Sequence, residues 1–194
     1  FDDDTSDELL RNADSAMFDA KEQGGNTFRF YTAEMNARAE RRLTLETGLR
    51  HALERGEFLL HYQPQVDLMS GEILGAEALI RWQHPDWGLV SPAEFIPLAE
   101  ETGLILPIGE WVLAEACAQA RAWQDAGHAA LRIAVNLSGR QLSQKGLPEI
   151  VASTLKRSAV ARGALELEIT ESLLMQDLEQ TADTLQALVA LGVT

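Results

Sequence analysis

From Phe58 to Leu191 two kinds of apolar segment alternate along the chain, and that alternation restricts it to few folds. Residues 58–66 (FLLHYQPQV), 72–82 (EILGAEALIRW), 131–138 (LRIAVNLS) and 165–172 (LELEITES) are apolar or alternating runs of strand length. Between and after them, residues 93–102, 108–126, 147–158 and 178–191 repeat apolar side chains at helical spacing. The first two strands are joined across Ser70-Gly71, and Gly192 ends the last helix, so a further strand is due at Val193. Strands alternating with helices predict an α/β fold on a mainly parallel sheet. Strands apolar on both faces suit the interior of a closed barrel or a doubly wound sheet. No Gly-rich turn follows the first strand, so nothing points to a Rossmann-type dinucleotide site.

Upstream, residues 8–23 place Leu9, Leu10, Ala13, Ala16, Met17 and Ala20 at helical spacing before Gly24 and Gly25. Residues 27–31 (TFRFY) alternate and predict a short strand. Residues 33–55 predict a charged, ordered helix ended by Gly56. Its apolar face runs through Leu45, Leu49, Ala52 and Leu53 and is expected to pack, while Arg38, Arg41 and Glu54 face water.

The 194 residues carry a formal net charge of -14, which excludes the basic footprint that polymeric nucleic acid requires. Acidic residues still fit a small phosphate ligand, because they hold divalent cations that in turn receive it. No stretch approaches the ~20 apolar residues of a membrane-spanning helix, and no signal peptide opens the sequence. The lone Cys117 reads as a buried, inert thiol, consistent with a cytoplasmic location, though regions outside these residues could anchor a longer protein. Opening on Phe1, the sequence reads as a fragment.

Three polar residues fall near the C-terminal ends of successive predicted strands: Glu77, Asn136 and Glu168. In a (β/α)₈ barrel that end carries the active site, and two carboxylates with an amide are the hard donors that Mg²⁺ or Mn²⁺ takes. The ordinary alternatives are that Asn136 caps a helix or makes an Asx turn, and that Glu168 pairs with Arg132. Arg81 shares a strand face with Glu77; it is either an ion-pair partner or a planar fork for a phosphate or a guanine edge. Gln63, on the preceding strand, is either a pocket residue or a satisfied polar group at a barrel mouth. His51, His61, His84 and His128 lack metal-ligand spacing, no Ser or Cys sits in a nucleophile motif, and Trp82, Trp87, Trp111 and Trp123 read as packing residues.

EALIRW at 77–82, with YQPQVDL at 62–68 before it, resembles the signature region of EAL domains. SPAEFIPLAEETG (91–103), VNLSGRQL (135–142) and LELEITES (165–172) are similar to the segments that follow in that family, in the same order. The resemblance covers about residues 40–194. ADSAMFDAKEQGGN (13–26) resembles the last helix and turn of GGDEF domains, with Gly25 where that family has Arg.

The resemblance implies three segments: a GGDEF tail (1–32), a connecting helix (33–56) and the N-terminal half of an EAL domain (57–194). The implied fold is a modified (β/α)₈ TIM barrel whose first strand runs antiparallel to the others, present here as its first half. The implied activity is hydrolysis of cyclic di-GMP to linear pGpG with two Mg²⁺ or Mn²⁺ ions. Under it, Glu77, Asn136 and Glu168 match metal ligands, Gln63, Leu79 and Arg81 match substrate-binding positions, and Glu171 matches a residue that steadies a loop near the metals. The family's general-base lysine is expected after Thr194, so these residues alone are expected to be inactive. The resemblance also allows a homodimer through the EAL domain. An inactive cyclic di-GMP receptor or scaffold is the alternative, and a barrel metalloenzyme acting on another phosphate ester is a third reading.

Overall fold

The computed structural model describes residues 5–22, 24–169 and 178–194. The chain divides after Gly48 into two compact units.

The first unit is built on helix α1 (Ser6–Glu22) and the start of helix α2 (Ala33–Ala52). Thr5 and Glu8 cap α1 reciprocally: Glu8 Oε2 accepts from the Thr5 amide at 2.8 Å, and Thr5 Oγ1 accepts from the Glu8 amide. Asp19 is buried on α1 and is held by Arg38 of α2 at 2.7 Å and by Arg29 at 3.6 Å. Arg38 therefore departs from its expected role: it stays largely exposed, but its guanidinium neutralises a carboxylate that burial would otherwise penalise. Residues 27–31 do not form the expected strand. Phe28 and Phe30 lie 75% and 82% exposed with their rings edge to face, and no strand of the described residues runs beside them. Alternation alone does not make a strand when the backbone has no ladder to join. On α2, Leu45, Leu49 and Ala52 are buried as expected, and Leu53 half-buried.

The second unit opens on a hairpin of β1 (Phe58–Val66) and β2 (Ile73–His84), and β2 turns back again through β3 (Gly88–Val90). Helices α3 (Pro92–Thr102) and α4 (Ile105–Asp125) lead to β4 (Arg132–Asn136). Helices α5 (Gly139–Leu142) and α6 (Leu147–Ser158) lead to β5 (Leu165–Glu168), and α7 (Leu178–Ala190) closes the series. The sheet order is β1-β2-β4-β5, with β3 on β2; β1 and β3 are antiparallel to β2, while β2, β4 and β5 are parallel. The mainly parallel sheet with an antiparallel first strand is as expected. Thr194 exchanges backbone hydrogen bonds with Leu165 and Leu167 of β5, and Val193 is buried, so the chain re-enters the sheet where a strand was due.

The short β3 and α5 were not anticipated. Helix α4 starts at Ile105 rather than 108, because Pro107 sits in its first turn, where the missing N–H would be unsatisfied anyway. β5 ends at Glu168, and residues 170–172 of the segment expected as strand lie outside the described residues.

One face of the sheet is covered by helices. Ala76, Ala78 and Trp82 of β2, Ile133 and Val135 of β4 and Leu165 of β5 are buried there with Ile108, Leu113, Ala116 and Cys117 of α4. Trp82 is fully buried among Phe58 and Phe95, and its indole N–H donates to Glu57 at 2.9 Å. Burial pushes the Cys117 thiol up to about 11, as an inert core cysteine requires. No described helix is long and apolar enough to cross a membrane.

Gly75 of β2 is paired with Arg132 of β4, and a Cβ there would enter the Arg132 carbonyl. Backbone cannot step aside as a side chain would. Gly75→Ala should therefore destabilise the second unit by about 1–3 kcal/mol, the usual cost of overpacking. Urea unfolding of the purified protein checks this, and an unchanged midpoint would contradict the closeness of the two strands.

Candidate functional site

The register of the sheet decides which side chains meet on the face opposite the helices. Gln63 of β1 stands beside Glu77 of β2, Glu77 beside Ala134 of β4, and Asn136 beside Glu168 of β5. Paired residues share a face, as do residues two apart on one strand. Gln63, Gln65, Glu77, Leu79, Arg81, Asn136, Glu166 and Glu168 therefore all belong to this one face.

Asn136 Nδ2 donates to Glu77 Oε1 at 2.6 Å, across the gap between adjacent strands. The Glu168 carboxylate accepts from Gln65 Nε2 at 3.3 Å. Its pKa is raised, first by partial burial and then by the negative charges of Glu77 and Glu166. The three residues thus converge, Asn136 and Glu168 from the ends of their strands as expected and Glu77 from the middle of β2, with the Glu77 carboxylate close enough to disfavour the ionised form of Glu168.

The ordinary alternatives fail on particular contacts. Arg132 pairs with Glu166 at 3.4 Å, not with Glu168. Asn136 caps nothing: Ser138 is the N-cap of α5. Arg81 is not tied to Glu77; its guanidinium donates to the Ile80 carbonyl at 2.8 Å. Arg81 and Leu79 line, with Asn136, Ser138, Pro92 and Ile96, a cavity of about 390 Å³ between the strand ends and α3 and α4. Gln63 is exposed beside Glu77 and does not line that cavity. Gln65 is a site residue that the sequence reading missed, although it lies two residues after Gln63 on the same face. Glu171 lies outside the described residues.

The donor set is two carboxylates and one carboxamide oxygen, and among the described residues no cluster of three or more Asp, Glu, His or Cys side chains could hold a metal. All of the donors are hard oxygens, and a divalent cation would favour the ionised form of Glu168, which partial burial and the Glu77 charge disfavour. The residues present fit Mg²⁺ or Mn²⁺.

The family model described as EAL domain matches residues 46–194. The chain belongs to the EAL domain family. It is similar to the Pseudomonas aeruginosa bifunctional diguanylate cyclase/cyclic di-GMP phosphodiesterase MucR, at 50% identity over 189 residues, 97% of this chain and 28% of that protein. It is also 40% identical over 184 residues to the Escherichia coli cyclic di-GMP phosphodiesterase PdeR, covering 95% of this chain and 28% of the relative. The chain thus spans little more than a quarter of the length of these relatives. Among solved structures, the EAL fold here matches the PaMucR phosphodiesterase in complex with c-di-GMP with a TM-score of 0.75 and 50% identity, over 77% of this chain and 61% of that one.

The electrostatics of this EAL site make a prediction about stability. Because the folded-state pKa of Glu168 is raised, its ionised form opposes folding. That penalty is fully present above the folded pKa and vanishes below the ordinary glutamate value. In metal-free buffer at neutral pH, Glu168→Gln should therefore raise Tm, because the amide removes the charge and keeps the side-chain length. The gain should shrink as the pH is lowered towards 4. A melting temperature that falls at neutral pH would show that Glu168 is not held against its neighbours' charge.

Proposed function

We propose that residues 46–194 are the N-terminal part of an EAL domain whose complete form is a modified (β/α)₈ barrel. The protein that carries it hydrolyses one phosphodiester bond of cyclic di-GMP, giving linear pGpG. The observation that carries this reading is the convergence of Glu77, Asn136 and Glu168 on one face of the sheet. The family match and the printed activities of MucR and PdeR support the substrate and the reaction.

Glu77, Asn136 and Glu168 would hold the divalent ions, two in a complete site. When bound, such ions lower the pKa of a water and draw off negative charge from phosphoryl oxygens. The chain's own residues supply binding and orientation. Asn136 fixes the rotamer of Glu77 through its amide hydrogen bond, and Gln65 does the same for Glu168. Arg81, at the cavity with its guanidinium donating to the Ile80 carbonyl, offers a planar guanidinium to a phosphate or a guanine edge. Leu79 lines the same cavity, while Gln63 stands beside Glu77 on the polar face. Residues 1–32 are the tail of a GGDEF domain, a reading supported by the alignment of nearly the whole chain with MucR.

In the full protein, Glu77→Ala should lower cyclic di-GMP hydrolysis at least about a hundredfold, the scale of losing one charge-stabilising group from an active site. Glu77 lies on the polar face and not in the helix-covered core, so Tm should change little. Chromatographic detection of pGpG checks both. Hydrolysis within tenfold of wild type would overturn the assigned role, and wild-type protein that binds cyclic di-GMP without consuming it would make the chain a receptor.

A further inference from the structure

Asn136 is followed by a short segment whose construction exceeds what a connecting loop needs. The Leu137 amide donates to the Glu168 carbonyl at 2.8 Å, continuing the ladder one step past the end of the strand. Ser138 then caps α5, which has only four residues and could not persist on helix propensity. Gln141 holds it in place. Its Oε1 accepts from the Ser138 amide at 3.1 Å and from the Ser138 hydroxyl at 2.8 Å, while the Gln141 backbone N–H donates back to Ser138 Oγ at 3.3 Å. Gln141 is 5% exposed, one of few buried polar side chains among the described residues.

Two other helices close on this turn. Gly109 of α4 lies directly against the Gln141 carboxamide, and a Cβ at that position would overlap its nitrogen. The Arg140 guanidinium donates to the Glu100 and Glu101 carbonyls in the last turn of α3, beside the Gly103 amide that caps Glu100. The turn after Asn136 is therefore fixed from β5, α4 and α3 together.

We propose that Gln141 is a positioning residue for Asn136: wedged between Ser138 and Gly109, it sets the direction from which the Asn136 carboxamide meets Glu77 and Glu168. The inference rests on the reading of those three residues as a cation site, and goes beyond it by assigning the group that holds one ligand in place. A buried glutamine satisfied by the backbone and hydroxyl of one residue fixes that residue's position as firmly as its own. With Ser138 fixed and Leu137 hydrogen-bonded to β5, Asn136 has little freedom left.

The test is Mn²⁺ affinity, read from free-ion electron paramagnetic resonance in titrations of the full protein, with Tm measured alongside. Asn136→Ala should weaken Mn²⁺ binding. Gln141→Ala should weaken it about tenfold, the usual effect of removing a group that orients a metal ligand. Gln141→Glu, which keeps the acceptor oxygen and the side-chain length, should stay within about threefold of wild type. If Gln141→Ala does not fold, Gly109→Ala, which displaces the carboxamide without removing it, should show the same loss. A Gln141→Ala protein (or Gly109→Ala in its place) with lower Tm but wild-type Mn²⁺ affinity, beside a weakened Asn136→Ala, would overturn the positioning role alone. Unchanged affinity in Asn136→Ala would overturn the cation site and the inference with it.

Discussion

Strand β2 is hydrogen-bonded on both edges, to β1 and β4, and a side chain on such a strand has only two faces to choose between. Ala76, Ala78 and Trp82 take the face under the helices, and their burial fixes the phase of the alternation. Once that phase is set, Glu77, Leu79 and Arg81 have no option but the other face. A slip of one residue would send two charges into a core that holds Trp82 at zero exposure, and would expose the tryptophan. The polar cluster is thus placed by apolar burial on the opposite side of the same strand.

The parallel pairing of β2, β4 and β5 turns that placement into a site. Pairing of β2 with β4 and of β4 with β5 sets Glu77, in the middle of β2, next to Asn136 and Glu168 at the ends of their strands, without any long excursion of the chain. Glu77, Asn136 and Glu168 come from segments separated by more than fifty and then thirty residues, yet the Asn136 amide reaches Glu77 at 2.6 Å. The cost is electrostatic: Glu168 shares partial burial with two like charges and is stabilised among them by Gln65.

Much of this was legible in the sequence because period and length are strong signals for elements such as β1, β2, α4 and α6. The shared face of Glu77 and Arg81 followed from strand alternation; the strand-end rule placed Asn136 and Glu168, but Glu77 sits mid-strand because β2 runs on to His84, where β3 pairs with it. What escaped has physical reasons. β3 has three residues, too few to show a period, and is recruited only by the edge of β2. Residues 27–31 show the period but find no ladder among the described residues. Helix α5 is made by the Ser138–Gln141 box, a readable spacing with no apolar run behind it to mark a helix. The contact of Gly109 with Gln141 depends on how α4 packs, and a spacing along the chain does not carry that.

Cys117 lies at the centre of α4, fully buried, in a chain with no other cysteine. With the thiol at about 11, the reactive thiolate is scarce at neutral pH as well as sheltered by the sheet. Alkylating reagents therefore meet this sulfur only in molecules whose helix has lifted from β2 and β4. The protein carries its own single-site clock for that opening event: the rate of its modification, without any engineered label, counts how often the helical layer leaves the sheet, and a ligand gripping the far face of the sheet would slow it.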